Sequence, residues 1–248
     1  MSDLQLSLAY TEDLELDEFI MEQLWQASGW VHQNSFGYLK SLTLRECHTV
    51  VHVIPSHLLS CFHNLEVLQV WSCSNAEVIF NMNDENRMMI TKASPIRLKK
   101  LSLYWLPKLE HVWEKDPEGI MGLQALEEME VYYCERLKSL FPASLATRDL
   151  TTLQVLEVAY CKELREIFGK DEKVGEGTTQ HSAFPPLTTL TLKQLPRLTI
   201  HCSKQQVILS HTIQNYFIYA HYPFLLLFIS FIKSIFLYIN TLEKQYTI

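Results

Sequence analysis

The side chains of this chain that could bind a metal are its histidines and cysteines. His48 and His52 lie four residues apart in HTVVH, the spacing of a helical zinc pair. The glutamate that follows the first histidine in zinc proteases is absent, and Val50 and Val51 are core-type residues. We therefore interpret the two histidines as structural and predict no metal site here.

The cysteines are spaced too widely to chelate a metal by themselves. Cys47 precedes Cys73 by 26 residues, Cys134 precedes Cys161 by 27 residues, and no C-x-x-C pair occurs. We interpret these four cysteines as a ladder of packing residues in a reducing compartment, without disulfides. The chain also has no G-x-S-x-G elbow and no glycine-rich phosphate loop. We therefore expect neither enzyme activity nor a cofactor.

The cysteines belong to a repeat that accounts for most of the chain. Six segments share one spacing, and their starts are separated by 26, 33, 28, 27 and 34 residues. They begin at Leu39, Leu65, Leu98, Leu126, Leu153 and Leu187. We number the positions of each copy from its first leucine, which is offset zero. Apolar residues recur at offsets 3, 5, 8, 11, 14 and 15 in the first five copies, as in LQVLEVAYCKELREIF (153–168).

This pattern, L-x-x-L-x-L-x-x-C-x-x-L-x-x-Φ-Φ, is the leucine-rich-repeat signature with cysteine where other subtypes have asparagine. Offsets 3 and 5 alternate with polar residues, which predicts one face of a short strand. The cysteine at offset 8 suits a buried turn, because its thiol is apolar and still a weak donor to a backbone carbonyl. No copy can enclose a core alone, so each must stack on the next.

The predicted fold is an α/β solenoid. We expect a leucine-rich-repeat horseshoe with a parallel β-sheet on its concave face and irregular or short helical segments on its convex face. Residues 36–198 form this domain of about six repeats, and residues 1–35 form a degraded or partial repeat in which LQLSL (4–8) alternates like a strand. Residues 199–248 form an apolar tail outside the pattern.

Aromatic side chains recur on the solvent-facing positions of the predicted strands. Offset 6 carries Trp71, Tyr104 and Tyr132 on successive strands, which places these rings in a row about 5 Å apart. Offset 7 adds Trp105, Tyr133 and Tyr160 at the end of the strands, and Glu128, Glu130 and Glu157 form an acidic strip beside the rings. Exposed aromatic patches with polar tips are typical of protein interfaces, and equally of a surface that packs under an adjoining domain.

Charge and composition indicate which kind of partner and which cellular compartment to expect. The formal net charge is −7, which disfavours binding to nucleic acid. The first twenty residues carry six acidic residues and neither Lys nor Arg, unlike a secretory signal. We therefore predict a cytoplasmic protein with a protein partner and no nucleic-acid partner.

The tail leaves three interpretations open. Tyr216–Ile239 is long and apolar enough for a membrane-spanning helix, although Pro223 and Lys233 interrupt it. Membrane association through residues 216–239 is therefore one interpretation. The second is a buried cap of the solenoid, and the third is translated non-coding sequence, because residues 199–248 are rich in Ile, Phe, Tyr and Leu and contain no glycine.

Four segments resemble a known family. They are CERLKSLF (134–141), CKELREIF (161–168), LYWLPKLEHVW (103–113) and FPPLTTLTLKQLPRL (184–198). They resemble the C-terminal repeats of plant disease-resistance proteins of the coiled-coil, nucleotide-binding, leucine-rich-repeat class. The resemblance implies a domain that senses pathogen effectors, or host proteins that effectors modify. The nucleotide-binding domain of that family has no counterpart here, so ATP binding is not carried over and we expect a fragment of a larger receptor.

Two functions follow from these observations. The first is a non-enzymatic protein-recognition module in plant defence that binds through the aromatic and acidic residues of the concave face. The alternative is a membrane-tethered leucine-rich-repeat scaffold anchored by the apolar segment of the tail.

Overall fold

Parallel strands at offsets 2 to 6 form the main sheet of the protein. The computed structural model describes residues 10–20, 36–81, 96–114, 123–142, 150–168, 187–202, 205–208 and 216–219. Seven described strands pair in parallel in the order β1-β2-β4-β6-β8-β10-β12. They are β1 (Asp13–Asp17), β2 (Ser41–Arg45), β4 (Val67–Trp71), β6 (Lys100–Tyr104), β8 (Glu128–Tyr132), β10 (Val155–Ala159) and β12 (Thr189–Lys193).

The register of the main sheet is the one that the repeat predicts. Leu68 pairs with Leu101, Leu101 with Met129, and Met129 with Leu156. All four side chains are buried, at 1% exposure or less. Equal offsets therefore lie side by side, and the leucine-rich-repeat solenoid predicted from the sequence is confirmed.

The returning arm of each repeat forms a second, shorter ladder, which the sequence analysis did not predict. On the convex side β3 (His52–Ile54), β5 (Val78–Phe80) and β7 (His111–Trp113) form one parallel sheet, and β9 (Ser139–Phe141) pairs with β11 (Glu166–Phe168). Their apolar residues are those of offsets 14 and 15. Short 3₁₀ helices at Ser56–Phe62 and Leu123–Ala125 provide the helical part of this face.

The core lies between the two ladders and is almost entirely aliphatic. Leucines of offsets 0, 3, 5 and 11 fill it along the whole solenoid. The core also contains stacked aromatic rings. Phe36 stacks on Phe62 with centroids 4.9 Å apart, and Phe80 stacks on Trp113 with centroids 4.7 Å apart. Since every strand buries its inner face here, the outer face of the main sheet is left for contacts.

The structure describes an N-terminal strand that the sequence analysis did not predict. The segment LQLSL (4–8) lies outside the described residues, and the described strand is β1, which pairs with β2 through Leu14↔Leu42 and Leu16↔Leu44. Leu14 and Leu16 are half-buried against the core, and Asp13, Glu15 and Asp17 point outward and are exposed. β1 therefore occupies offsets 2 to 6 of a copy that begins at Thr11, where a leucine would be expected.

Part of the tail continues the sheet in the opposite direction. β15 (Tyr216–Tyr219) pairs antiparallel with β12, and β13 (Thr199–Cys202) pairs antiparallel with β14 (Gln205–Ile208). The segment Tyr216–Ile239 lies outside the described residues except for β15, which is extended. Within the part of the chain that the structure describes, no helix is long and apolar enough to cross a membrane.

Candidate protein-binding surface

The chain adopts a left-handed conformation at the residue that follows each strand of the main sheet. This residue is at offset 7, and none of the seven is glycine. They are Glu18, Glu46, Ser72, Trp105, Tyr133, Tyr160 and Gln194, with φ between 49° and 59°. Such angles are costly for bulky side chains, so the neighbouring structure must hold them.

Hydrogen bonds between repeats hold these left-handed residues. The backbone N–H of Trp105 donates to the carbonyl of Tyr132 at 3.0 Å, and that of Tyr133 donates to Ala159 at 3.0 Å. Each offset-7 amide thus bonds to the offset-6 carbonyl of the next repeat. The turn therefore projects the offset-7 side chains outward, in line with one another.

The offset-6 side chains form a row of stacked rings, which we call the inner aromatic row. Trp71 and Tyr104 have centroids 4.4 Å apart, and Tyr104 and Tyr132 have centroids 5.0 Å apart with planes within 2° of parallel. These three rings are half-buried. The guanidinium carbon of Arg45 lies 5.3 Å from the Trp71 centroid and covers the N-terminal end of the row.

The offset-7 side chains form a second stack, the outer aromatic row. Trp105 and Tyr133 have centroids 5.5 Å apart, and Tyr133 and Tyr160 have centroids 4.5 Å apart with planes 1° from parallel. Trp105 is 48% exposed and Tyr133 is 37% exposed. The outer row is therefore more accessible than the inner row, whose three rings are half-buried.

Two of the three carboxylates in the predicted acidic strip share one lysine of the strand before it. Lys100 Nζ lies 2.8 Å from a Glu128 oxygen and 3.1 Å from a Glu130 oxygen. Glu130 also accepts hydrogen bonds from Ser102 at 2.8 Å and from the Tyr104 hydroxyl at 3.0 Å. These carboxylates are consequently part of the scaffold that positions the rings.

A second carboxylate anchors the next ring in the same way. The hydroxyl of Tyr132 donates to Glu157 at 2.5 Å. Burial, followed by the hydrogen bond to Glu157, raises the pKa of Tyr132 well above its usual range. Burial and the hydrogen bond to Glu130 raise the pKa of Tyr104 in the same way. Both phenols therefore stay protonated donors at neutral pH, and their rings are fixed in orientation.

The pKa of Glu130 shows that hydrogen bonding outweighs burial at this carboxyl group. Burial alone raises the pKa of the carboxyl, but hydrogen bonds from Ser102, Lys100 and Tyr104 outweigh burial and leave it below its ordinary value. The carboxylate is thus ionised at neutral pH and is held by three donors.

The cysteines of offset 8 close the turn below the two rows, as the sequence predicts. Cys73 donates its thiol to the carbonyl of Trp71 at 3.4 Å, and Cys161 donates to Ala159 at 3.4 Å. Cys47 and Cys134 make the same contact with Arg45 and Tyr132 at 3.3 and 3.7 Å. The hydrogen bond with Cys47 and then burial raise the pKa of Cys73, so its thiol remains a donor.

The two histidines of HTVVH lie in different parts of their repeat. His48 lies near Ser74, whose hydroxyl oxygen is 3.2 Å from Nδ1, and His52 lies in strand β3. In the described ranges no group of three or more His, Cys, Asp or Glu side chains could hold a metal ion.

The geometry of these repeats agrees with a known family. A family model described as plant disease resistance protein RPS2-like, leucine-rich repeats, matches residues 10–156, which is more than half of the chain. The chain belongs to this family. The match begins at residue 10, immediately before β1, which agrees with β1 as part of a repeat.

The comparison with solved structures finds a fold relative at low identity. The leucine-rich repeat domain of the type III effector XopL matches with a TM-score of 0.47 and 18% sequence identity. The match covers 80% of this chain and 57% of that domain, so the chain spans a little over half the length of its structural relative. No curated protein matches.

The sequence located every ring of both rows but not the side chains that cover their ends. Arg45 covers Trp71, and Lys193 Nζ lies 5.4 Å from the Tyr160 centroid. Both cations are at offset 6, so the repeat pattern could have been used to find them. The left-handed backbone conformation at offset 7 could not be predicted from the sequence, because the residues there are Glu, Ser, Trp, Tyr and Gln and not glycine.

Proposed function

We propose that this chain recognises a protein partner in plant defence, a pathogen effector or a host protein that an effector modifies, through the two aromatic rows. Leucine-rich repeats of its family are generally non-enzymatic protein-interaction modules, and the chain is proposed to act as such a module within a larger receptor. The alternative function is a scaffold anchored to a membrane by the tail, and this anchor would depend on residues outside the described ranges.

The observation that carries this proposal is the exposed outer row. Trp105 and Tyr133 are large rings held at left-handed backbone positions, with roughly half and a third of their surface in water. A solvent-exposed ring on a costly backbone conformation is not needed for the fold, whose core lies on the other face of the sheet. Aromatic anchors of this kind contribute most of the binding energy in many interfaces.

The inner row supports the outer row and extends the surface. Tyr104 and Tyr132 cannot turn away, because their hydroxyls are bonded to Glu130 and Glu157. The rings are therefore preorganised, which reduces the ordering cost when a partner binds. Trp71, Tyr104 and Tyr132 form the floor of the proposed site, and Trp105, Tyr133 and Tyr160 form its rim.

A capture experiment with matched baits tests the proposal. The wild-type chain, the Trp105→Ala/Tyr133→Ala variant and the Tyr10→Ala/Tyr38→Ala variant are immobilised and exposed to extract from infected leaf tissue. Tyr10 and Tyr38 are an exposed stacked pair away from both rows, with centroids 5.8 Å apart, so they control for the loss of surface aromatic area.

The expected result is a protein retained by wild type and by the Tyr10/Tyr38 control and lost with the Trp105/Tyr133 variant. A loss of more than about 2 kcal/mol, or over 30-fold in Kd, is expected for two central aromatic anchors. Equal retention on all three baits, with unchanged circular dichroism spectra, would remove the aromatic rows from the proposed interface.

A further inference from the structure

The outer aromatic row is uncovered at its N-terminal end. The offset-7 residues before Trp105 are Ser72 and Glu46, and each is about 4.8 Å from the next because their amides bond to adjacent strands. One face of Trp105 packs on Tyr133 with planes within 8°. No ring is stacked in parallel on the opposite face, and the offset-7 residue of the preceding repeat is Ser72, which has no ring. Trp71 is tilted 48° to this ring with centroids 6.3 Å apart, so it does not stack there.

A cation lies at one end of each aromatic row. Lys193 Nζ lies 5.4 Å from the centroid of Tyr160, the last ring of the outer row. The Arg45 guanidinium lies 5.3 Å from the centroid of Trp71, the first ring of the inner row. A cation over a ring face is attracted by the ring quadrupole. Among the described residues no such cation lies over Trp105, the first ring of the outer row, or over Tyr132, the last ring of the inner row, and of these two rings Trp105 is the exposed one.

Acidic residues lie beside this uncovered face. Glu46 is exposed and forms no ion pair with any of the described residues, and Asp17 and Glu18 follow at the next strand end. Arg45, which precedes Glu46 in the chain, is paired with Glu15 at 2.6 Å. The local charge therefore favours a cationic group over an anionic or neutral one.

We propose that an arginine side chain of the partner protein binds beside Ser72, between the indole of Trp105 and the carboxylate of Glu46. This proposal rests on the protein-binding function proposed above and specifies the chemistry of the partner. The backbones of Trp105 and Glu46 are two strand spacings apart, about 10 Å, so a guanidinium between them reaches both. Arginine fits better than lysine, because its planar group stacks on the indole while its N–H groups bond to the carboxylate.

A peptide selection tests the arginine site. Random linear peptides are selected on the full chain and counter-selected on the Trp105→Ala/Tyr133→Ala variant, so that the surviving peptides depend on the outer row. We expect these peptides to share an arginine. Replacing it with neutral citrulline should weaken binding about tenfold. The Glu46→Gln variant should weaken the arginine peptide about threefold and leave the citrulline peptide unchanged, and Glu77→Gln, the same charge change on the convex side, should affect neither.

The outcomes separate the two proposals. Peptides that depend on the outer row but share no arginine, or whose arginine is not coupled to Glu46, overturn the arginine site and leave the protein-binding function standing. Selection of no peptide that depends on Trp105 and Tyr133 contradicts the protein-binding function itself. A concentration-dependent dimer that Trp105→Ala abolishes would make a second copy the occupant and would overturn the proposed partner.

A second measurement tests the same site without a partner. Ser72→Arg supplies a guanidinium from the chain itself, and Ser72→Met supplies an uncharged side chain that is also long and flexible. We expect Ser72→Arg to unfold about 2 °C above Ser72→Met, because the exposed cation–π contact stabilises the folded chain. About half of that difference should disappear when Glu46→Gln is added, because the cation–π contact with Trp105 remains. An equal thermal midpoint for the Arg and Met variants overturns the site.

Discussion

Glu130 is the residue on which the orientation of the inner aromatic row depends. It accepts hydrogen bonds from Lys100, Ser102 and Tyr104 at 3.1, 2.8 and 3.0 Å. Three donors around one carboxylate outweigh its burial, which is why its pKa is lowered. The interaction therefore stabilises the fold only while the carboxylate is ionised.

We expect Glu130→Gln to lower the free energy of unfolding by about 1–2 kcal/mol at pH 7, because charged hydrogen bonds are lost. A lowered folded-state pKa contributes stability above the unfolded value, about 4.3, and this is lost as pH falls through the folded value. The difference from wild type should therefore be constant between about pH 8 and 5 and become progressively smaller as the pH falls further. Urea unfolding at pH 7 and 3 measures it.

Glu127→Gln is the matched control for that experiment. Glu127 is exposed immediately before the same strand and its side chain acts on Lys99 only through charge, so its replacement should change stability by less than about 0.5 kcal/mol. An equal loss for Glu130→Gln at both pH values would show that the carboxylate charge is not the stabilising element.

At the scale of elements, the convex ladder is interrupted between β7 and β9. These strands belong to different sheets, yet the indole Nε1 of Trp113 in β7 donates to the carbonyl of Leu140 in β9 at 3.0 Å. The side chain thus replaces the backbone pairing that joins β5 to β7. Its ring also stacks on Phe80 with planes 4° apart.

Trp113→Phe should remove this hydrogen bond and keep most of the stacking on Phe80. We expect a loss of about 1–2 kcal/mol in the free energy of unfolding, measured with urea. Trp105→Phe makes the same change at an exposed indole and should cost less than about 0.5 kcal/mol. Similar losses for the two variants would contradict a structural role for the Trp113 hydrogen bond.

The repeat pattern predicted the strands of the main sheet and the turns that follow them, but it did not predict the convex strands or β1. Offsets 3, 5 and 8 of each copy gave strands and turns at the right residues, because burial of leucine and cysteine selects them. The convex strands were missed although Val78, Ile79 and Phe80 have the apolar character of strands. β1 was missed because Thr11 stands where the other copies have leucine. The partners of Glu130 lie 26 to 30 residues away, and their contacts depend on a register that only stacking reveals.

At the scale of the whole molecule, each repeat is stabilised by the repeats on either side of it. Each described strand of the main sheet contacts only the strands beside it, so a defect should spread to adjacent repeats before distant ones. Leu101 is fully buried in the middle of the sheet, whereas Leu14 at its N-terminal end is half-buried.

We expect Leu101→Ala to cost about 2–5 kcal/mol and Leu14→Ala about 1 kcal/mol, because a central cavity is larger and less able to collapse. Hydrogen exchange read by mass spectrometry should show lost protection in β4, β6 and β8 for Leu101→Ala, and in β1 and β2 alone for Leu14→Ala. Uniform loss of protection along the chain in both variants would indicate all-or-none unfolding instead of neighbour-by-neighbour coupling.

The outward side chains of β1 have a consequence for solubility. β1 has a pairing partner on one side among the described strands, so its other backbone edge could template a strand from another molecule. Asp13, Glu15 and Asp17 place three negative charges along that strand, and two copies meeting edge to edge would repel each other. Replacing Asp13 and Asp17 with asparagine reduces the repulsion. The double variant should therefore aggregate through its N-terminal edge at neutral pH under conditions in which the wild-type chain stays dispersed.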